Sequence, residues 1–184
     1  MINSVDNLVF AAQARAEKYS RFKYSQLDCQ AFVEKVLADT CVVKADGSPY
    51  NWKGVNHIWR VALTWKGTIE EAKKKFGDIP VGAWVFIWRD DGGEKERGYY
   101  DGLGNAKHIG IYVGDPEQVR DSTRSTKTKR DGVGYRKLSD FTHVGLPFMI
   151  DYLGTDLTVN KPEKPDKQKA LEALEVLKLY ILGG

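Results

Sequence analysis

The chain has few of the residues that build disulfide frameworks or metal sites, with two cysteines and three histidines among 184 residues. Two cysteines exclude a disulfide framework, and without a CxxC or HxxxH spacing we predict no metal site and no cofactor. The sequence also lacks a phosphate-binding loop, a dinucleotide-binding fingerprint and a paired-carboxylate pattern. These absences disfavour nucleotide-dependent and metal-dependent functions.

Long hydrophobic runs are absent as well. No segment is apolar enough over its length to span a membrane, and the polar residues 1–6 do not resemble a secretory signal. We therefore expect the chain to be made in the cytoplasm and to need another component for delivery if it acts elsewhere.

The composition is that of a globular protein of about one domain. Apolar residues make up 42% and charged residues 29%, so a substantial core can form. The net charge is +3 and the pI is about 8.7, a mild basic excess that suits an anionic polymer such as cell wall or nucleic acid without selecting one.

Helical periodicity dominates the first half of the chain. Ser25 and Asp28 have the spacing of a capping box, and the apolar positions that follow, from Cys29 to Leu37, recur at helical intervals. Four helices are predicted at residues 4–19 (capped by Ser4), 25–37, 56–65 and 69–76.

After residue 77 the pattern changes to short apolar runs between turn residues, which is typical of strands. Strands are predicted at residues 81–88, 108–113, 119–123, 135–138 and 144–150, with a polar basic loop at 124–134. This order predicts an α+β domain in which N-terminal helices pack on an antiparallel sheet.

The end of the chain has a different composition. Residues 159–166 hold two prolines and two lysines and are predicted to be a linker between a domain at 1–158 and a helix at 167–184. Apolar residues at heptad-like spacing on this last helix favour docking on the domain or self-association, and continuation into a further domain is the alternative.

Cys29 is the first candidate for chemistry, because the start of a helix favours the ionised form of a thiol. The adjacent Asp28 opposes this effect, so a cationic partner is required. Taken alone, Cys29 is also compatible with a small buried core residue.

His108 supplies that partner. A cysteine on a helix followed about 80 residues later by a histidine on a strand is the arrangement of a thiol–imidazole pair. Alternation places His108 and Gly110 on one face of the strand, where the glycine would leave room for substrate or for the thiol.

A third group is expected to orient the imidazole by accepting a hydrogen bond from its other nitrogen. Asp121, on the next predicted strand, is the best acceptor, and Gln118 is the fallback. His57 and His143 have no partner pattern and are expected to be structural.

Basic residues cluster around the predicted loop. They suggest an anion contact or, as is more usual, a solvated surface, and a nucleic-acid binder using this loop is one alternative function. No base-reading motif accompanies the charge, so we expect no nucleic-acid partner. The cluster consists of Arg120, Arg124, Lys127, Lys129 and Arg130.

Three blocks together resemble the NlpC family of cell-wall cysteine peptidases. The run DCQAFV at residues 28–33 is similar to the family's D-C-S-G-F-V block, and HIGIYVGD at 108–115 is similar to its H-V-G-I-Y-x-G-D block. Between them, PVGAWVF at 80–86 is similar to a G-D-L-V-F segment. The blocks occur in the family's order, and the resemblance spans residues 5 to about 152.

The resemblance implies a papain-like fold with Cys29 as nucleophile and His108 as base. The family often has a histidine as third polar residue; here the register offers Arg120 or, with one inserted residue, Asp121, and only a carboxylate can accept the bond. Tyr24 corresponds to a tyrosine that shapes the family's site. Tyr24, Asp28 and Gly110 are accordingly predicted to contact substrate.

The function implied is hydrolysis of amide bonds in the stem peptide of peptidoglycan, with an endopeptidase favoured. The alternatives are an N-acetylmuramoyl-L-alanine amidase like those of the related CHAP group, a transacylase, or a non-catalytic wall-binding module. Without a secretory signal, delivery resembles that of phage or prophage lysins, or of an injected toxin. The expected partner is the stem peptide at the bacterial cell wall.

Overall fold

The computed structural model describes residues 4–114, 118–126 and 129–152. These residues form an α+β fold with an antiparallel sheet, as the sequence predicts. The predicted linker at 159–166 and the helix at 167–184 lie outside the described residues. Within the described ranges, no helix combines the length and the apolar character that crossing a membrane requires.

Four α-helices and eight strands lie within the described ranges. The helices are α1 (Asn7–Ala14), α2 (Cys29–Asp39), α3 (Val55–Val61) and α4 (Ile69–Phe76). The strands are β1 (Val5–Asp6), β2 (Leu63–Thr68), β3 (Trp84–Arg89), β4 (Asn105–Tyr112), β5 (Val119–Ser125), β6 (Arg130–Arg136), β7 (His143–Pro147) and β8 (Ile150–Asp151). Short 3-10 helices occupy Glu17–Tyr19, Lys95–Arg97 and Leu138–Asp140.

The main sheet has six strands in the order β2-β7-β3-β4-β5-β6, with antiparallel neighbours throughout. Strands β3 to β6 form a meander, and β7 returns to pair with both β3 and β2. A separate parallel pair joins β1 to β8. The predicted antiparallel meander is therefore confirmed for β3 to β6, with β7 and β2 added on the far side of β3.

Helix α2 packs against β4 and β5, and this contact forms the core next to the site. Its buried face carries Cys29 and the four apolar residues Phe32, Val33, Val36 and Leu37, as the helical spacing predicts. The cap is Asp28, whose side chain accepts from Ala31 N at 2.8 Å, and not Ser25. The helix starts three residues later than the capping-box pattern predicts, because residues 24–26 form a turn.

Two other predicted elements differ from the structure. The helix predicted at 4–19 is shorter, because Asp6 rather than Ser4 caps α1 and Ala16 has an extended backbone. The helix predicted at 56–65 ends at Val61, and Trp65 lies on β2. Pairing of β2 with β7 outweighs the weak helical pattern there, which is the usual way tertiary contacts override local propensity.

The start of β4 is held by a buried amide network. Asn56 of α3 accepts from Ala106 N at 2.8 Å and donates to Asn105 Oδ1 at 2.9 Å. Arg60, one turn later, forms a two-point ion pair with Asp101 in the loop before β4. These contacts fix the backbone two residues before His108.

Candidate active site

Cys29 is the first residue of α2, and only 6% of its surface is exposed. Its N–H has no acceptor within the helix, because the first-turn donors have no carbonyl one turn earlier. The side chain of the preceding Asp28 accepts from Ala31 N within the same turn, at 2.8 Å. The thiol and the backbone donor therefore lie together at the positive end of the helix.

His108 lies on β4 opposite Ile87 of β3. The pairing shifts by one residue beside it, so Lys107 is the extra residue of a β-bulge that changes the direction of the strand. His108 Nε2 is 2.6 Å from Asp121 Oδ2. Because a carboxylate only accepts, Nε2 carries the proton, and Nδ1 is left for the hydrogen bond to the Cys29 thiol.

The environment of His108 favours its protonated form. Burial lowers the pKa of the imidazole, but hydrogen bonds and charge attraction from Asp121 and Cys29 outweigh it and raise the pKa to about 9. The imidazolium therefore persists at neutral pH, where it is the cationic partner that Cys29 requires.

Asp121 is fully buried on β5. It accepts from His108 and is ion-paired with Arg130 and, at 3.5 Å, with Arg136 of β6. The register thus gives the third position to Asp121 and not to Arg120, the alternative that the motif alignment leaves open.

Arg120 and Gln118, the two alternatives for the group that orients the imidazole, have other partners. The Arg120 Nη2 donates to Ser20 Oγ at 2.6 Å, and its guanidinium stacks on Tyr135 at 4.3 Å. Gln118 lies at the turn before β5, where its carbonyl accepts from Val113 N.

The hydroxyl of Tyr24 is hydrogen-bonded to the Cys29 thiol. Burial, followed by the nearby charges of Cys29 and Asp28, raises the pKa of this phenol to about 12. Tyr24 therefore keeps its proton at neutral pH and acts as a donor. The predicted position beside the nucleophile is the one observed, and its contact with substrate stays a prediction.

The other two predicted substrate contacts have structural partners. Asp28 is exposed and caps α2. A Cβ at Gly110 would lie 2.6 Å from Val119 Cγ1 and 3.1 Å from Asp121 Cβ. The space beside Gly110 is therefore occupied by β5, and this brings Asp121 close to His108. The sequence analysis expected substrate or the thiol in that space.

The β5–β6 hairpin also supports the segment before α2. Ser122 Oγ donates to Leu27 O, and Asp131 accepts from Tyr24 N at 3.3 Å. Gly132 has φ +131°, and a Cβ there would lie 2.1 Å from Phe22 O, so only glycine permits this close approach. The β5–β6 hairpin therefore positions Asp121, and it also contacts the backbone of the segment that contains Tyr24, at Phe22, Tyr24 and Leu27.

The sequence analysis missed the role of Arg130 and Arg136. The segment 124–134 was expected to be a loop, but β5 extends to Ser125 and β6 begins at Arg130. The solvated-loop interpretation of the basic run is also wrong for Arg120, which is 2% exposed. Arginine or glycine occupies every second position from 130 to 136, and this period of two was the signal that could have identified the strand.

A cleft of about 590 Å³ adjoins the carboxylate end of the site. Arg136 reaches both, since its Nη1 faces Asp121 and its Nε donates to Asp140 at 3.1 Å. The other lining residues are Thr123, Arg124, Ser125, Tyr135 and Lys137. Cations outnumber carboxylates in this lining, so the cleft is electropositive.

The remaining two histidines make local contacts. His57 Nδ1 accepts from Lys53 N at 3.2 Å, and His143 packs on the Trp88 ring at 4.5 Å. Burial lowers the pKa of His143. These contacts are those of structural histidines, as the sequence suggests.

Taken together, the site holds a thiol, an imidazole and a carboxylate in mutual contact, and these are the three kinds of group that thiol acyl transfer uses. Comparison of the chain with protein-family models, with curated proteins and with solved structures finds no match. The geometry and the sequence motifs are therefore what bear on function.

The raised pKa of His108 predicts a pH-dependent stability. A histidine that titrates near 6.5 when unfolded and at about 9 when folded stabilises the fold fully below pH 6.5, and this contribution is lost as pH rises through about 9. The loss is on the order of 3 kcal/mol. Urea unfolding at several pH values should show a stability difference between native chain and His108→Gln that shrinks as pH rises.

His57→Gln is the matched control, since it removes an imidazole from α3 instead of β4. This variant retains His108, so its stability should still fall as pH rises through about 9. A native chain and a His108→Gln variant with parallel stability curves between pH 6 and 10 would contradict the assignment.

Proposed function

We propose that this protein is a papain-like cysteine hydrolase of the NlpC type that cleaves amide bonds in the stem peptide of bacterial peptidoglycan. The observation that carries the proposal is the Cys29–His108–Asp121 chain of contacts at the start of α2. A buried thiol bonded to an imidazole, which is in turn bonded to a buried carboxylate, has the features of an activated nucleophile.

The reaction is an acyl transfer in two stages. The thiolate of Cys29, its proton held by His108, attacks the scissile carbonyl, and the Cys29 N–H and the Tyr24 hydroxyl are available as donors to the oxyanion. His108 then gives its proton to the leaving amine. In the second stage His108 takes a proton from water, which attacks the acyl-enzyme; the C–S bond breaks, the acid is released, and the Cys29 thiolate is restored beside the protonated His108.

Support for a wall substrate comes from the three motif blocks. The fold brings them together, since block 28–33 starts α2, block 108–115 begins on β4, and block 80–86 leads into β3, which pairs with β4. The stem peptide, cleaved by an endopeptidase, is the substrate that the resemblance implies. Action at the cell wall after delivery with a phage or prophage apparatus belongs to the same proposal.

The test is incubation of purified peptidoglycan with the chain, following turbidity and the release of new amino groups, with the products identified by mass. Loss of turbidity with cleavage inside the stem supports an endopeptidase, and free stems with intact glycan indicate an amidase. Prior alkylation should stop the reaction in both the native chain and Cys41→Ser, whose remaining cysteine is Cys29. Release that survives alkylation would contradict a thiol mechanism, and binding to the wall without release would favour a non-catalytic module.

A further inference from the structure

Strand β6 carries only arginine and glycine on the face that it shares with Asp121. Asp121 pairs with Gly134, and residues two apart on a strand share a face. Arg130, Gly132, Gly134 and Arg136 therefore lie on the same face as Asp121, with the two glycines between the two arginines. Small residues there leave the space above β6 to the long arginine side chains.

Arg130 fills that space. A Cβ on Gly134 would lie 2.8 Å from Arg130 Cδ and 2.9 Å from Arg130 Nη1, so the arginine folds back over the glycine along its own strand. Its Nη1 donates to Tyr135 O at 2.9 Å, and its Nη2 donates to Asp121 Oδ1. The guanidinium is thus held at a backbone carbonyl and a carboxylate at once, with 19% of the side chain exposed.

The two oxygens of Asp121 have different partners. Oδ1 accepts from Arg130, while Oδ2 accepts from His108 Nε2 at 2.6 Å and faces Arg136 Nη1 at 3.5 Å. Because Arg130 occupies Oδ1, the carboxylate cannot rotate without losing an ion pair, and Oδ2 stays directed at the imidazole.

We propose that Arg130 is a positioning residue, which orients Asp121 toward His108 and offsets part of its negative charge. The proposal rests on the proposed function for its effect on turnover, since there Cys29 and His108 carry the chemistry. Its effect on the titration of His108 does not depend on any substrate.

The charge effect has a definite sign. A cation beside Asp121 weakens the stabilisation that the carboxylate gives to the imidazolium, so removal of Arg130 should raise the pKa of His108. From β3 and the segment after β6, the apolar Ile87 and Phe141 face the ring. The titratable and charged groups around His108 are Cys29 on α2 and Tyr24 before it, Asp121 on β5, Arg130 and Arg136 on β6, and the neighbouring Lys107, which is exposed and pairs with Asp91.

The experiment is an NMR titration of the His108 ring in a Cys29→Ala chain, with and without Arg130→Gln. The midpoint should move upward by about one pH unit in the arginine variant. Lys129→Gln is the matched control, because it removes the same charge from the neighbouring exposed position and should leave the midpoint unchanged. Arg130→Lys keeps the charge and should titrate close to native.

A second variant tests the same proposal in case Arg130→Gln does not fold. Gly134→Ala retains the arginine but displaces it from the carboxylate through the added methyl group, and it should move the His108 midpoint in the same direction. With active Cys29 restored, both variants should lower kcat by up to about 100-fold with KM unchanged, because Arg130 orients the base and does not touch substrate.

A His108 midpoint that is the same in Arg130→Gln, Gly134→Ala and the Lys129→Gln control would overturn the proposal. So would an Arg130→Lys chain that titrates like Arg130→Gln, because charge would then not be the cause. A chain that shows these shifts but releases nothing from peptidoglycan would retain the role of Arg130 on His108 and overturn the proposed substrate alone.

Discussion

Cys29→Ala is expected to abolish the release of amino groups from peptidoglycan, with a loss of about 10⁴-fold or more in kcat. In the proposed mechanism the Cys29 thiol forms the acyl-enzyme, and Cys29→Ala removes that thiol from His108. The fold should survive, because alanine is smaller than cysteine and has good helix propensity at the first position of α2. Turbidity and amine release measure the first effect, and thermal unfolding measures the second.

Cys41→Ser is the control for this variant. Cys41 is exposed beyond the end of α2, so serine there should leave the rate of release unchanged. A Cys29→Ala chain that degrades peptidoglycan as fast as Cys41→Ser would exclude the proposed mechanism. If neither the native chain nor the variants release material, the rate at which iodoacetamide labels Cys29 at neutral pH should be measured. Fast labelling in the native chain and slow labelling in His108→Gln would support the thiol–imidazole pair. Only the proposed substrate would then be wrong.

Asp121→Asn is expected to damage catalysis and stability together. An amide keeps the shape of the carboxylate but removes the charge that holds the His108 imidazolium, so the pKa of His108 should fall and the thiolate should lose its cation. A fall in kcat of roughly 10²- to 10⁴-fold follows from losing both the charge and the enforced tautomer. The pH profile of release should lose activity at a lower pH than in the native chain.

The cost in stability comes from the arginines. Arg130 and Arg136 have 19% and 21% of their side chains exposed, and both face Asp121, which is fully buried. Replacing the shared carboxylate leaves Arg130 without a carboxylate partner and Arg136 with only the exposed Asp140, which should lower the free energy of unfolding by about 3 kcal/mol.

Asp140→Asn tests whether this effect belongs to the buried position. Asp140 also pairs with Arg136, but 47% of its side chain is exposed, so its loss should change stability by less than about 1 kcal/mol. Urea unfolding of the two variants measures the difference. Equal effects from Asp121→Asn and Asp140→Asn would contradict the buried cluster.

Much of the candidate site follows from local patterns. The spacing of Cys29 and the apolar residues after it predicts a helix with the thiol in its first turn, and the alternation after His108 predicts a strand. Both elements form where expected because their buried faces are encoded within a few neighbouring residues. The helix cap was misassigned by three residues, since Ser25 and Asp28 are both suitable caps and only the packing of the preceding turn selects Asp28.

The third residue needed information that no local pattern contains. Arg120 and Asp121 are adjacent, and a shift of one residue exchanges the faces of a strand. The pairing of Ile111 with Arg120 across the hairpin brings Asp121 opposite Gly110, whose missing side chain admits it beside His108.

By itself, the sequence determined the α+β class, the helix that carries Cys29 and the strand that carries His108, because periodic burial is a property of neighbouring residues. Three features were decided by the tertiary structure alone. They are strand β2, which replaces the end of the helix predicted at 56–65, the register that brings Asp121 to His108, and the ion pairs of Arg130 and Arg136. These features depend on pairing between segments distant in the chain, where the gain in contact free energy outweighs local preference.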